Sequence, residues 1–405
     1  MLVRPIGYRR RVISLRVALV HGRADPARDG VADYTVHLGE ALDRQGAAVV
    51  DVPVDPGVRG LARAVRYLRA SRVDLAHVQF APSAFGFSGA VGLLGDLAGT
   101  PLVTTLHEYG GWTCVPRVPG AVWAALERRR LADRDTGRLV PRSAAVLTTN
   151  GEHAAVLRDR WGLDSRRAPL LPNVEVDPDA PDRATTRRAL GVPEDAELVA
   201  FFGFVHPVKG LRYLADAVAR LAAEHPRLHL LVLGGFTSLA LPEDEAEAFR
   251  AELTAHVERA GAADRVTIAG HRPAGEVSEA LAASDVAAFP FTAGATPKSG
   301  ALLAALDHGL PTIVTRRSDA PDDPALVDGR SVVVAPEVRD VEVLVTALRR
   351  LLDDPELARR VAAGGHEIMR GHSWEALAAM HTRLYEHVSG TPSHRTGRPR
   401  GRSPE

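Results

Sequence analysis

The chain has 405 residues, 45% apolar and 25% charged, and its 50 basic and 50 acidic residues cancel to a formal charge of zero. That composition fits an ordinary globular protein of two or three domains and excludes a bulk electrostatic draw to nucleic acid or to a membrane. A single cysteine, Cys114, excludes an internal disulfide and any multi-cysteine metal site, and no apolar run reaches the ~18–20 residues that span a bilayer. Arg4, Arg9, Arg10 and Arg11 precede a stretch, Val12 to Val20, that is apolar but broken by Ser14 and Arg16. It reads as a leader running into a first strand rather than as a secretory signal, so a cytoplasmic location is the expectation.

Taken in chain order, short apolar runs alternate with segments of helical period. Val17–Val20 reads as a buried strand, followed by a loop to Gly30 and a helix from about Ala32 to Arg44. Asp29, Gly30 and Asp33 fall at this strand-to-helix junction, where an open parallel sheet places its ligands. Gly30 permits close backbone approach, and Asp29 or Asp33 is a candidate helix cap. Ala48–Val52, Leu75–Gln79 and Leu102–Leu106 are further strands, with helices expected over Leu61–Ala70 and Val91–Leu97. The strand Leu102–Leu106 ends on His107-Glu108-Tyr109-Gly110-Gly111, a titratable pair at the carboxyl end of a buried strand, a place suited to general acid–base chemistry. A sheet-edge hydrogen bond is the plainer role for His107.

Residues 112–140 are less regular. Trp112, Val115, Val118, Val122, Trp123 and Leu126 lead into Arg128-Arg129-Arg130. This suits either a helix packed on its own domain with a solvated basic end, or an amphipathic segment touching an acceptor or a lipid surface. Asp133-Arg134-Asp135 has the spacing of a metal-binding Asp-X-Asp, but its polar neighbours point to surface charge. Ala144–Thr148 is a strand, Glu152–Trp161 a helix and Ala168–Leu171 a short strand; the Pro- and Asp-rich Asp177–Asp182 reads as a linker. A first domain of about 12–180 follows.

The alternation then restarts. Helix Arg183–Leu190 precedes strand Leu198–Phe202, the loop Gly203–Gly210 and helix Leu211–Glu224, with strands at Leu228–Leu233, Val266–Ala269, Val286–Phe289, Thr312–Val314 and Ser331–Val334. Helices are expected over Phe249–Ala260, Val277–Ala283, Val341–Leu352 and Pro355–Met369. This is a second doubly wound α/β domain of about 185–370. A last helix begins at His372-Ser373-Trp374-Glu375, with Ser373 as its cap, and residues 389–405 have no large apolar side chain to bury and read as disordered.

Only two lysines occur, Lys209 and Lys298; every other fixed cation is arginine. Both lie in loops that run from a strand into a helix. Either they are remnants of composition, or these positions need a compact point charge rather than a planar fork. Lys298-Ser299-Gly300 opens a short helix carrying Leu302, Leu303 and Leu306 inward, and Gly309 and Pro311 end it. Free N–H groups at such a start, beside a lysine, suit a phosphate.

Four segments together resemble the retaining, nucleotide-sugar-dependent glycosyltransferases of family four (group 1), whose fold is GT-B: two Rossmann-like domains facing a cleft, with the C-terminal helix returning to the first. They are Asp29-Gly30-Val31-Ala32-Asp33-Tyr34, Leu171-Pro172-Asn173-Val174, Phe202 to Gly210, and Ala304 to Val314. The resemblance implies hexosyl transfer from a nucleotide-diphosphate sugar, as co-substrate, to a carbohydrate, lipid-linked or small-molecule acceptor. It implies no metal and no other cofactor. By the same resemblance Gly203, Lys209, Lys298, Ser299, Gly300 and Gly30 hold the diphosphate, His107 lies near the sugar, and His271 and Arg272 lie against the nucleobase. Asp33, Tyr34 and Glu108 face the acceptor, and residues 112–130 are the candidate for peripheral membrane contact. The chain departs from the family at three places: the two glutamates separated by seven residues fall on Thr296 and Ala304, and the arginine of the basic pair falls on Phe204. Lys298 is then the candidate compensating cation, and Asp307 the candidate ribose contact. The alternatives are a GT-B sugar-nucleotide epimerase and a non-catalytic protein that binds a sugar nucleotide or glycan.

Overall fold

The computed structural model describes residues 15–390 except 27, 238–240, 242, 321 and 322. The basic leader before residue 15 and the polar tail after 390 lie outside the described residues. Two compact units are present: 15–24, Thr35–Ala168 and 374–390 form the first, and Asp25–Tyr34 with Pro169–Ser373 the second. The Pro- and Asp-rich Asp177–Asp182, read as a linker from its composition, therefore lies inside the second.

The first unit is built on six parallel strands: β1 (Arg16–Gly22), β2 (Ala48–Val54), β3 (Leu75–Phe80), β4 (Leu102–Leu106), β5 (Ala145–Thr148) and β6 (Arg166–Arg167). Their order is β2-β1-β3-β4-β5-β6. Every residue of β3 and β4 is buried, because helices cover both faces of a parallel sheet; most of their side chains are apolar, but His77, Gln79, Thr104 and Thr105 are buried with them. The second unit repeats the plan with β7 (Glu197–Phe202), β8 (Leu228–Leu233), β9 (Val266–Gly270), β10 (Val286–Phe289), β11 (Thr312–Thr315) and β12 (Val333–Ala335), ordered β12-β11-β10-β7-β8-β9. This is the Rossmann order, with its reversal between β7 and β10. The fold class is the expected α/β with two doubly wound sheets.

Three local expectations are corrected. Residues 91–97 form a 3-10 turn, Gly89–Leu93, running into a single α-helical turn, Leu94–Leu97. The edge strand pairs through Arg166–Arg167, not Ala168–Leu171. The last strand is Val333–Ala335, since Ser331 is used instead to bind the preceding turn, its hydroxyl donating to Ala325 O at 2.6 Å.

The helix Trp374–Ser389 belongs to the first unit. Trp374 stacks on His37 with ring centroids 5.1 Å apart, and Gln45 donates to the Glu375 carbonyl at 2.6 Å. Its buried face carries Leu377, His381 and Tyr385. Helix Gly120–Arg128 buries Trp123 and Glu127 and leaves Val122 exposed, and Arg128, Arg129 and Arg130 are exposed at its end. No described helix is long and apolar enough to cross a membrane.

Candidate active site

In the second unit the strand order reverses between β7 and β10, and the carboxyl edge at such a reversal is where an open α/β sheet places its ligands. The loops leaving these two strands are laced together. Thr292 donates to the Val208 carbonyl through its N–H at 2.9 Å and its hydroxyl at 3.1 Å. Gly210 has φ of 72°, and a Cβ there would lie 2.0 Å from Pro290 O, so only glycine lets the loops close this tightly. Likewise Gly234, at the end of β8, has φ of 145°, and its Cβ would meet Gly203 O at 1.9 Å.

This lacing sets Lys209. Its Nζ stands 3.9 Å from the centroid of the Phe291 ring. The side chain is half-buried, and burial lowers the ammonium pKa below the ordinary lysine value. Among the described residues no carboxylate pairs with it, although arginines throughout the chain do find acidic partners, as Arg187 does in Asp285 and Arg134 in Glu127. A desolvated cation steadied only by an aromatic face is poised for an anion.

The loop after β10 leads into helix Gly300–Asp307. Ser299 caps it, its hydroxyl accepting from Leu302 N at 3.3 Å. The N–H groups of Gly300 and Ala301 have no acceptor within the helix and lie at its positive end. Lys298 is exposed one residue before the cap, and Asn173 packs against Gly300, where a Cβ would meet its Cβ at 3.3 Å. Ala301 through Leu306 are all buried and Ala304 is 0% exposed. Asp307 sits at the opposite end, seven residues or ~10 Å along the axis from Gly300. Burial raises its carboxyl pKa, and its carbonyl accepts from His366 Nδ1 at 3.0 Å. The structure thus gathers Gly203, Lys209, Lys298, Ser299 and Gly300 on the loops of one sheet edge and leaves Asp307 away from them. His271 and Arg272 follow β9 on the same edge. Arg272 is held by the Ala269 carbonyl at 3.1 Å and Glu276 at 3.2 Å.

At the junction before helix Gly30–Arg44 the cap is Asp29, which accepts from Ala32 N at 2.7 Å. A Cβ on Gly30 would meet nothing within 4 Å, so no protein atom demands glycine there. Asp33 is half-buried, and Tyr34 is buried with its hydroxyl pKa pushed up by desolvation.

In the first unit His107 follows β4. Its Nε2 lies 2.8 Å from Gln79 Oε1 on β3, and its backbone N–H donates to the Phe80 carbonyl. Burial, and then the neighbouring His153, push its pKa down to about 3, so the ring is neutral at physiological pH. Glu108 is exposed and accepts from Ser83 at 3.2 Å, which ties it to the loop after β3.

Asp133-Arg134-Asp135 is not surface charge, as its composition suggested. Asp133 is 0% and Asp135 1% exposed. Asp133 accepts from Tyr109 OH at 2.5 Å, Trp161 Nε1 at 2.8 Å, and the Thr136 N–H and hydroxyl at 2.8 and 2.9 Å. Asp135 takes the Gly110 N–H at 2.7 Å and pairs with Arg160 at 2.5 Å, while Arg160 also reaches the Gly110 carbonyl at 3.2 Å. These buried carboxylates clamp the turn Tyr109-Gly110 that follows His107 and Glu108. Their donors are 24 to 28 residues distant in sequence for Tyr109 and Trp161, beyond the reach of a local pattern. Among the described residues no group of three or more His, Cys, Asp or Glu side chains is placed to hold a metal ion.

Comparison with known proteins decides the family. Residues 53–174 match the family described as Glycosyltransferase Family 4, and 196–354 match Glycosyl transferases group 1. A D-inositol 3-phosphate glycosyltransferase of Kineococcus radiotolerans is 31% identical over 331 residues, which cover 76% of this chain and 71% of that one. The chain is a group 1, family 4 glycosyltransferase. Another such relative, the D-inositol 3-phosphate glycosyltransferase of Segniliparus rotundus, is 29% identical over 87% of this chain and 75% of its own. Among solved structures, Anabaena HepE in complex with UDP and glucose superposes with a TM-score of 0.67 at 16% identity, over 92% of this glycosyltransferase and 100% of HepE. At that identity the likeness speaks for the fold.

Proposed function

We propose that this glycosyltransferase moves a hexosyl group from a nucleotide-diphosphate sugar to an acceptor hydroxyl, with retention at the anomeric carbon and without a metal ion. The observation that carries the reading is Lys209, a half-buried ammonium without a carboxylate partner among the described residues, at the switch point of the second sheet. Its loop is bonded to the one that leads into the capped start of helix Gly300–Asp307.

In this reading the acceptor oxygen attacks the anomeric carbon, the bond from that carbon to the diphosphate oxygen breaks, and the hydroxyl proton leaves with the diphosphate. Negative charge grows on the departing group, and Lys209, Lys298 and the N–H groups of Gly300 and Ala301 offset it. His107, neutral and in the first unit, is the residue we read on the sugar side, with Glu108, Asp33 and Tyr34 toward the acceptor. His271 and Arg272 take the nucleobase. With Ala304 in the core, no carboxylate stands at the family's ribose position, so affinity is concentrated in the diphosphate.

The UDP bound to HepE makes uridine-diphosphate sugars the first donors to test, and the names of the curated relatives make D-inositol 3-phosphate the first acceptor. The test is nucleoside diphosphate release from a panel of donors, with and without acceptor. Acceptor-dependent release supports transfer; release without any acceptor would favour the epimerase chemistry, and tight binding with no release a non-catalytic role.

A further inference from the structure

Behind His107 the core of the first unit holds a run of polar side chains where apolar ones would satisfy the fold. His77 and Gln79 on β3, Thr105 on β4, and His381 on the C-terminal helix are each 0% exposed, as is Tyr385. Buried polar groups are retained against a desolvation penalty, so each should have a defined partner. His77 Nδ1 lies 2.6 Å from Tyr385 OH, and His77 Nε2 lies 2.7 Å from Thr105 Oγ1. Both ring nitrogens of His77 are therefore engaged by hydroxyls. The amide nitrogen of Gln79 stands 3.3 Å from each of those two nitrogens. Equal distance to both places it over the imidazole face, not along either lone pair.

That position fixes which way the carboxamide points. The face of an aromatic ring is electron-rich; it attracts an N–H and repels a carbonyl oxygen. The NH₂ end of Gln79 therefore belongs over His77 and the oxygen toward His107. An amide oxygen only accepts, so the nitrogen of His107 facing it must carry a hydrogen.

We infer that Gln79 sets the tautomer of His107, holding the proton on Nε2 so that Nδ1 is the hydrogen-bond acceptor, with His77 and Tyr385 as positioning residues behind it. His107 then accepts a hydrogen bond from a hydroxyl and neither donates a proton to the leaving group nor adds positive charge beside it. The histidine nearest in electrostatic effect, His153 on helix Gly151–Trp161, disfavours a charged His107, which accords with a neutral ring. The chain of contacts also joins residues 308 apart, so the C-terminal helix reaches the ring of His107 through two side chains. The catalytic consequence rests on the reading of His107 as the sugar-side residue; the tautomer does not.

The test is the ¹⁵N spectrum of the full chain labelled at histidine, with His107 assigned by the signal lost in His107→Gln. At pH 7 the parent should show the neutral ring with hydrogen on Nε2. Gln79→Leu, similar in size, should shift the His107 nitrogens toward the average of two tautomers. Gln79→Glu, which puts a carboxylate against Nε2, should raise the His107 titration midpoint by at least two pH units. Hydrogen on Nδ1 in the parent overturns the inference without any variant, and so does an unshifted His107 signal in a folded Gln79→Leu. In turnover, Gln79→Leu should lower kcat about tenfold with donor KM within threefold. The expected spectra with unchanged kcat would uphold the tautomer and overturn the sugar-side reading of His107.

Discussion

Replacing Lys209 by methionine separates a charge that serves a ligand from one that serves the fold. Two unit charges about 4 Å apart interact by ~4 kcal/mol at the effective dielectric of a site near a protein surface. Removing one preorganised donor to a developing anion lowers rates by ~10²–10³. kcat/KM should therefore fall about 100- to 1,000-fold in Lys209→Met, read as nucleoside diphosphate release under acceptor saturation. Stability should respond differently. The ammonium is desolvated, has no acidic partner among the described residues, and gains only the Phe291 face. That contact is worth ~0.5–2 kcal/mol, and a methionine sulfur keeps ~0.3–1.5 kcal/mol of it. The urea midpoint should imply a change within about 1 kcal/mol, in either direction. Lys209→Arg should also be damaging, about 10- to 100-fold, because a planar fork cannot occupy the place of a point charge. A kcat/KM within threefold of the parent in Lys209→Met would show that the charge does not meet the leaving group, and a stability loss above about 2 kcal/mol would show that it serves the fold.

Lys298→Ala, at an exposed position, should cut turnover at least tenfold with an unchanged urea midpoint; activity within threefold of the parent would remove it from the site. Asp133→Ala leaves Trp161 Nε1 and Tyr109 OH without their buried acceptor and should lower stability by at least about 3 kcal/mol in urea denaturation, whereas a loss below 1 kcal/mol would mean that the clamp is dispensable. Acid should destabilise the first unit. His381 is pushed down to about 4 and His107 to about 3, both chiefly by burial, so the unfolded chain binds protons first as pH falls below about 6.5. Each then costs about 2 kcal/mol between pH 7 and pH 5, continuing until the folded-state value is reached, and His77, also lowered by burial, acts in the same direction, so urea curves at the two pH values should differ by at least roughly 4 kcal/mol; a difference under 1 kcal/mol would contradict the buried neutral assignment. On the proposed reading, in which affinity is concentrated in the diphosphate, UDP should bind at least a hundredfold more tightly than uridine in calorimetric titration, and near-equal affinities would show that the nucleoside is gripped elsewhere.

The sheets were legible because burial on both faces favours short, largely apolar runs. Leu102–Leu106, Leu228–Leu233 and Val286–Phe289 are strands to the residue, each such a run even where Thr104, Thr105 or His229 interrupts it. Edges were less so. Arg166–Arg167 pairs through its backbone while both side chains stay in solvent, and nothing in its side chains announces a strand. The two lysines mark the second unit because the rest of the chain uses arginine, a contrast visible in composition alone. The clamp around Asp133 and the polar run behind His107 were hidden for one reason: their meaning lies in partners far along the chain. Asp133-Arg134-Asp135 is as polar as any surface loop until Tyr109 and Trp161 are brought onto it. Similarly, Gln79 reads as one polar residue in a strand until Tyr385, from the last helix, closes the run from its far end.

The most direct test of the proposed transfer is release of UDP from UDP-sugars by the full chain in the presence of a metal chelator, with and without D-inositol 3-phosphate, followed by the anomeric coupling constant of the product. Release should depend on acceptor, persist in the chelator, and give a product with the donor's anomeric configuration. Release abolished by the chelator and restored by a divalent cation, or a product of inverted configuration, would contradict it.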